Sequence, residues 1–366
     1  MAEHTDFPMR ATTRIPLSAP EAILQQLCEH FVEHCEVIVN GPKARFEASY
    51  GTALLECEGG ALCVTALGHD ESTLSYVKMA VAEHVVEYAG EDTPRIVWTG
   101  DGMKTGPLPF FREMRVVGAR DITPRMRRVT LAGADLARFA SGGLHIRLLF
   151  PPQGLASPSW PTLGEDGRIV WPTGAAKLTG RIYTIRSLDI ASGEIDIDFV
   201  IHEGDAYPGA GFALKARPGD IVGITGPGGG DTPPADWYLL AGDETALPAI
   251  ARILEDLPSS AQAVVRIEIP DAAEEQPLTS AANVDLAWLH RGQVEAGTTT
   301  LLENAVRGIA IPGDRRVFAW ACGEHKTFRA IRKYLRAERG LARKQHMAAA
   351  FWRRGFDGDS PEAGEA

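Results

Sequence analysis

The feature that most constrains this chain is a change of period near residue 235. From Trp237 onward, short apolar runs alternate with amphipathic ones. WYLLAGD reads as a buried strand, ETALPAIARILEDL as a helix, AVVRIEI and VDLAWLHR as strands, TLLENAVRGI as a helix, RRVFAWACGE as a strand and HKTFRAIRKYLRAERG as a helix. Such alternation implies a parallel sheet with helices on its faces. Between residues 110 and about 232 the pattern is different. MRVVGARDITPRMRRVTLAG, HIRLLFP, GRIVWP, GRIYTIRSL, GEIDIDFVIH and DIVGITGP are short β-rich runs parted by turn residues, as in a small antiparallel barrel. In GEIDIDFVIH, Ile195, Ile197, Phe199 and Ile201 alternate with Asp196 and Asp198, which predicts one face in and one face out.

The first hundred residues read as a compact α+β unit. A helix is expected over 19–33, where Ile23, Leu24, Leu27, Phe31 and Val32 recur at helical spacing, with Ser18 as its N-cap before Pro20. Strands CEVIVN, KARFEASYG, TALLECEGG and ALCVTALG follow, turning at Asn40-Gly41 and Gly59-Gly60, and a second helix spans 71–88. The glycine- and proline-rich DTPRIVWTGDGMKTGPLP reads as a linker. The expected fold is therefore multidomain: a small α+β domain (1–100), an antiparallel β-barrel (108–232), an α/β domain (235–356) and a tail (357–366).

Composition narrows the function classes. An apolar fraction of 45% and a charged fraction of 23% are ordinary for a globular chain. There is no signal-peptide pattern and no apolar run long enough to cross a bilayer, so a cytoplasmic location without membrane insertion is expected. Five cysteines without a CxxC pair fit reduced thiols. A net charge of −11 speaks against nucleic-acid binding, which needs a basic footprint. Yet from Lys326 to Arg354 ten basic residues face the single acid Glu338, so this end is set up to receive an anion.

The strongest local signal is Arg181-Ile182-Tyr183-Thr184-Ile185-Arg186. Strand alternation puts Arg181, Tyr183 and Ile185 on one face and Ile182, Thr184 and Arg186 on the other. A flavin needs an aromatic surface, polar donors at its edge and a cation near its diphosphate, and this string offers all three. On its own it also describes an ordinary strand with exposed arginines.

Around it, RIYTIR, DIDFVIHE, PGDIVGITGPGG, WYLLAGDETALPAIARILEDLP, VDLAWLHR, VFAWACGE, FRAIRKYLRAERG and FWRRG resemble, in order and spacing, the FAD-binding siderophore-interacting proteins, over about residues 110–356. That family is ferredoxin-reductase-like, with a β-barrel FAD-binding domain and an α/β NAD(P)H-binding-like domain. The resemblance implies that Arg181, Tyr183, Thr184 and Arg186 hold FAD, with Tyr183 against the ring and Arg186 near the phosphates. It implies that Asp198, Val200 and His202 border the ribityl and adenine side. Similar proteins carry GPAS or GPAT where this chain has Pro208-Gly209-Ala210-Gly211. With the hydroxyl missing, diphosphate binding should rest on backbone amides of the turn at Gly209 and Ala210.

The same resemblance places Asp243, Thr245, Ala246, Cys322 and Glu324 on the nicotinamide side. GDETA is not the GxGxxG dinucleotide fingerprint, and two carboxylates would repel a pyrophosphate. An acidic first turn complementing a helix dipole explains Asp243 and Glu244 as well. Arg329, Arg332, Lys333 and Arg336 lie off the apolar stripe Phe328, Ile331, Tyr334 and Leu335. They are either a solvated face or a site for the NADPH 2′-phosphate or an anionic ferric siderophore. His30 and His34 share a helix face beside Cys35, but further ligands cannot be named, and no metal is expected. GHDESTLSYVKMAVAEHVVEYA resembles a small uncharacterised domain, DUF2218, often joined to siderophore-interacting proteins, and implies no activity.

The implied reaction passes electrons from NADPH or NADH, or from reduced ferredoxin, through FAD to chelated iron(III), releasing iron(II). It needs no side-chain acid, base or nucleophile. Two alternatives stand beside it: a general ferredoxin-reductase-type flavin oxidoreductase acting on quinones or dyes, and a siderophore-binding module without turnover.

Overall fold

A computed structural model describes residues 7–48, 50–152, 154–155, 157–201, 208–230 and 232–356. The tail 357–366, His202 and Tyr207 lie outside the described residues. The chain forms two compact units that a linear cut does not separate. One is 1–111 with 152–178, and the other is 112–151 with 179–366.

The first unit is a helix-backed antiparallel sheet. Its elements are β1 (Met9–Pro16), α1 (Pro20–Phe31), β2 (Glu36–Asn40), β3 (Lys43–Ala48), β4 (Gly51–Glu58), β5 (Ala61–Gly68) and α2 (Glu71–Ala89). The order is β2-β3-β4-β5-β1, closed by a short pairing of β1 with Thr99–Gly100. Sequence reasoning missed β1, because its inward positions Ala11, Thr13 and Ile15 include a threonine and a small residue, which blurs the alternation. The expected Ser18 cap is corrected as well. Ala19 stands at the N-cap without a side-chain bond, and the Ser18 N–H donates to Asp92 instead. At α2, Asp70 and Thr73 bond reciprocally, fixing the entry to the helix.

The stretch read as a linker is packed against this unit. Ile96 and Trp98 are buried in its core, and Trp98 Nε1 donates to the Asp166 carbonyl at 2.8 Å. Lys78, buried beside that indole, donates to the Gly102 carbonyl at 2.7 Å. In the same unit the rings of His30, His34 and His84 cluster, with centroids 4.2 Å apart for His30–His84 and 4.7 Å for His30–His34. Among the described residues no group of three or more His, Cys, Asp or Glu is arranged to hold a metal.

The second unit holds a barrel sheet and an α/β sheet. The barrel strands are β6 (Phe111–Thr123), β7 (Met126–Ala132), β8 (His145–Phe150), β9 (Thr179–Thr184), β10 (Ser187–Asp189), β11 (Glu194–Val200) and, after the helix α3 (Pro208–Lys215), β12 (Ile221–Gly228). They run in the order β9-β8-β12-β6-β7-β11-β10 around Val129, Leu131, Phe139, Leu148, Ile197 and Phe199. The predicted alternation in β11 holds for its isoleucines and Phe199 but not for Asp198. That carboxylate is buried, because Arg128 grips it through Nε at 2.6 Å and Nη2 at 2.8 Å.

The α/β sheet comprises β13 (Trp237–Asp243), α4 (Leu247–Asp256), β14 (Gln262–Ile269), β15 (Asn283–His290), α5 (Leu301–Arg307), β16 (Val317–Glu324), α6 (His325–Lys333) and β17 (His346–Trp352). All five strands are parallel, in the order β15-β14-β13-β16-β17. The strand order reverses between β13 and β16, and every residue of both strands is buried. Crevices at such reversals are where open α/β sheets bind ligands. Strand β17 went unread, since HMAAAFW carries three alanines of low strand propensity.

Barrel and α/β sheet are joined by polar bonds. The buried Glu274 accepts from the Thr123 hydroxyl and, at 3.0 Å, from the Arg125 N–H at the β6–β7 turn. Replacing Glu274 with alanine strands both donors and should cost about 1–3 kcal/mol of stability. Chemical denaturation followed by tryptophan fluorescence measures this, and an unchanged midpoint would show the contact to be idle.

Candidate functional site

The site is built from two strand ends and a helix start. At the end of β9, Tyr183 is half-buried, with its ring 4.4 Å from Phe199 between centroids. Its hydroxyl lies against Gly209, where any Cβ would stand 1.7 Å from the phenolic oxygen. Burial raises the pKa of the phenol, so it stays neutral. Among the described residues its hydroxyl has no hydrogen-bond partner. Gly209 belongs to the first turn of α3, not to the turn expected from sequence. Pro208 opens that helix, leaving the N–H groups of Gly209 and Ala210 without intrahelical acceptors.

Thr184 ends the strand and is buried, with Oγ1 3.3 Å from His145 Nδ1. Burial, and to a smaller degree the Arg252 guanidinium, push His145 down to about 4, which keeps the imidazole neutral at physiological pH. The expected two-face alternation stops here. Ile185 follows Thr184 into the interior, its N–H held by the Leu144 carbonyl at 2.9 Å. Arg181 is half-buried and donates to the Gly180 carbonyl. Arg186 turns to α4, where it grips Glu255 through both Nη atoms at 2.7 and 3.1 Å. Its fork is occupied by a carboxylate rather than open to a phosphate.

These residues offer an aromatic plane, a neutral polar edge and a helix start with a glycine in its first turn. The Gly209 cradle and the unpartnered phenol fit a flavin dinucleotide, with Tyr183 and Thr184 at the ring and the α3 amides at the diphosphate. Asp198 and Val200 flank Phe199 on β11, each engaged by a neighbour. Asp198 is held by Arg128, and Val200 packs with Met126 against the α/β core.

At the sheet reversal, Asp243 is fully enclosed. Oδ1 accepts from the Thr245 N–H at 2.9 Å and from its hydroxyl, while Oδ2 accepts from the Glu324 N–H at 3.1 Å and from Trp352 Nε1 at 2.7 Å. Burial and, secondarily, the charge of Glu244 push Asp243 up to about 6. Glu244 is gripped by Arg291, whose Nη1 lies 2.8 Å from Oε2. Neither acid caps α4, whose N-cap is the buried Ala246. Glu324 instead caps α6, accepting from the Lys326 N–H at 2.6 Å. Cys322 is buried, and burial raises its thiol well above the ordinary range, so it is no nucleophile.

Beyond Glu324 the surface turns basic. A cleft of about 540 Å³ is lined by Glu324, His325, Lys326, Arg329, Arg353, Arg354 and Phe356. A second, of about 330 Å³, lies among Arg329, Arg332, Lys333 and Arg336. Phe328, Ile331, Tyr334 and Leu335 are buried as the stripe predicts. Arg336 bonds His346 and Arg354 pairs with Glu295, whereas Arg329 and Lys333 are exposed and make no ion pair among the described residues. Sequence reasoning missed His145, Phe351 and Trp352. Phe351 meets His145 edge-on at 5.1 Å, a juxtaposition of two strands 206 positions apart in sequence that no local pattern signals.

Three family models match the chain: the siderophore-interacting FAD-binding domain over 115–231, the siderophore-interacting protein domain over 235–355, and DUF2218, a protein conserved in bacteria, over 12–99. Ferric vibriobactin reductase ViuB of Vibrio cholerae is 36% identical over 251 residues, covering 67% of this chain and 90% of that protein. The NADPH-dependent ferric-chelate reductase of Escherichia coli is 32% identical over 250 residues, covering 66% of this chain and 92% of its own length. The crystal structure of a siderophore utilization protein from T. fusca superposes with a TM-score of 0.59 at 41% identity, covering 67% of this chain and 94% of that one.

Asp243 yields a pH prediction. Its folded pKa lies above the ordinary 3.8, so its stabilising contribution is full below 3.8 and is lost as pH rises through about 6. Asp243→Asn should flatten the fall in unfolding free energy across that window, as measured by urea titrations at several pH values. A slope equal to that of the parent chain would refute the assignment.

Proposed function

The chain belongs to the siderophore-interacting protein family, and on that premise we propose that it is a flavin-dependent ferric-siderophore reductase. Electrons pass from NADPH or NADH, or from ferredoxin, through FAD to chelated iron(III), and iron(II) is released. The observation that carries this reading is the neutral Tyr183 phenol set against Gly209 at the start of α3, where a Cβ would stand 1.7 Å from its oxygen.

When bound, FAD supplies the exchange between two-electron donors and one-electron reduction of iron(III). Tyr183 offers the plane on which the ring rests, and Thr184, oriented by the neutral His145, offers a hydroxyl at the polar edge. The N–H groups of Gly209 and Ala210, with Arg181, hold the diphosphate. Asp243, Glu244 and Glu324 make the sheet reversal acidic, which turns phosphates away from it. Lys326, Arg329, Lys333 and Arg353 then receive the anionic partner, either the ferric chelate or the nucleotide phosphate. Oxygen-rich chelators suit the harder iron(III), so reduction weakens the complex. The reaction is assigned to the cytoplasm, where reduced nicotinamide and ferredoxin are supplied. The NADPH-dependent relative supports nicotinamide as donor, with ferredoxin as the competing choice.

Purified protein should show flavin absorption and reduce ferric siderophores with NADPH, NADH or reduced ferredoxin, faster than it reduces quinones. A colourless protein that takes up no FAD would end the proposal. Tight siderophore binding without flavin reduction by any donor would convert it into a binding module.

Two substitutions test its parts. Gly209→Ala drives a methyl into the phenolic oxygen and should weaken FAD retention by at least tenfold in an equilibrium titration. Arg329→Ala with Lys333→Ala should raise KM for the anionic chelate or for NADPH severalfold while leaving FAD content unchanged. If neither KM moves, this helix face is merely solvated.

A further inference from the structure

The edge of the N-terminal sheet carries an inference of its own, independent of the redox site. β2, Glu-Val-Ile-Val-Asn, is the outermost strand, paired on one side only among the described residues. The two-residue turn Gly41-Pro42 closes on the pair Asn40–Lys43, and the register runs without a bulge to Glu36–Glu47. In such a ladder Glu36, Ile38 and Asn40 turn their backbone groups to β3, whereas Val37 and Val39 turn theirs to the open edge. Between Val37 and Asn40 the strand has no charge, proline or bulge to blunt its edge. Ile38 is 49% exposed and Val39 57%, so the open edge is also apolar.

We propose that β2 pairs antiparallel with β2 of a second copy of this chain, joining two sheets across a two-fold axis at Ile38. The sequence is self-complementary in that register. Ile38 faces Ile38 of the second copy in a non-hydrogen-bonded pair, where side chains approach most closely. Val37 faces Val39 of the second copy, and these two pairs use all four outward N–H and all four outward C=O groups of the two edges. Glu36 faces Asn40 of the second copy, so no like charges oppose each other. A five-residue pairing buries much less than the roughly 1,600 Å² of a standard interface, so the association is weak and depends on concentration.

The test is sedimentation equilibrium of the full FAD-loaded chain over a concentration series. The parent chain should climb toward the mass of two chains. Ile38→Lys and Ile38→Glu, each placing like charges directly opposite, should each weaken association at least tenfold with flavin content and thermal midpoint unchanged. An equimolar mixture of the two variants should restore it, because lysine then faces glutamate. Three results would overturn the proposal: a parent chain that stays single at every concentration, variants that pair as tightly as the parent, or a mixture that stays dissociated. The first would also follow if a strand of another protein were the natural occupant.

Discussion

The Asp243 carboxylate is the contact around which the α/β sheet is organised. It takes four donors from three chain segments: its own turn, the end of β16 and the indole of the last strand. Two glycines make the approach possible. A Cβ on Gly323, whose φ is +152°, would stand 2.7 Å from Asp243 Oδ2, and a Cβ on Gly242 would meet that of Ala246 at 2.4 Å. A carboxylate sealed this way is costly to charge, which is why its pKa rises despite four donors. The arrangement also sets the electrostatics. The place where a dinucleotide fold would present glycines and free amides presents instead Asp243, Glu244 and Glu324, all buried.

From that acidic point the field changes sign within one helix. Glu324 caps α6, and the same helix then carries the exposed Arg329 and Lys333 and the half-buried Arg332. The sheet reversal is thus acidic and the surface next to it basic. On the barrel side the cations are spoken for differently, Arg128 by Asp198 and Arg186 by Glu255. These pairs hold the framework together.

The sequence made the architecture legible wherever a period was sustained. The strand and helix alternation after Trp237 and the buried stripe of α6 appear as expected. The losses occurred where residue type and position disagree. β1 hides behind its threonines and β17 behind its alanines, since neither shows a clean apolar alternation. Tyr183 and Gly209 were both named from sequence, but their contact spans 26 positions and arises only from folding. Asp198 and Arg186 were implied as flavin contacts by the family resemblance, and the fold shows each of them in an ion pair. Which partner claims a charged side chain depends on neighbours far away in sequence, Arg128 in one case and Glu255 in the other.

The stretch 152–178 lies in sequence between the barrel strands β8 and β9, yet it belongs to the first unit, where the Asp166 carbonyl receives the Trp98 indole. This has a consequence for synthesis on the ribosome. The N-terminal unit stays unfinished until Leu178 has emerged, by which time β6, β7 and β8 have already been made. The core from Ala11 to Trp98 can close early, whereas the satellite cluster of Leu108 and Phe110 waits for Leu163, so the last packing of the first unit overlaps the making of the barrel.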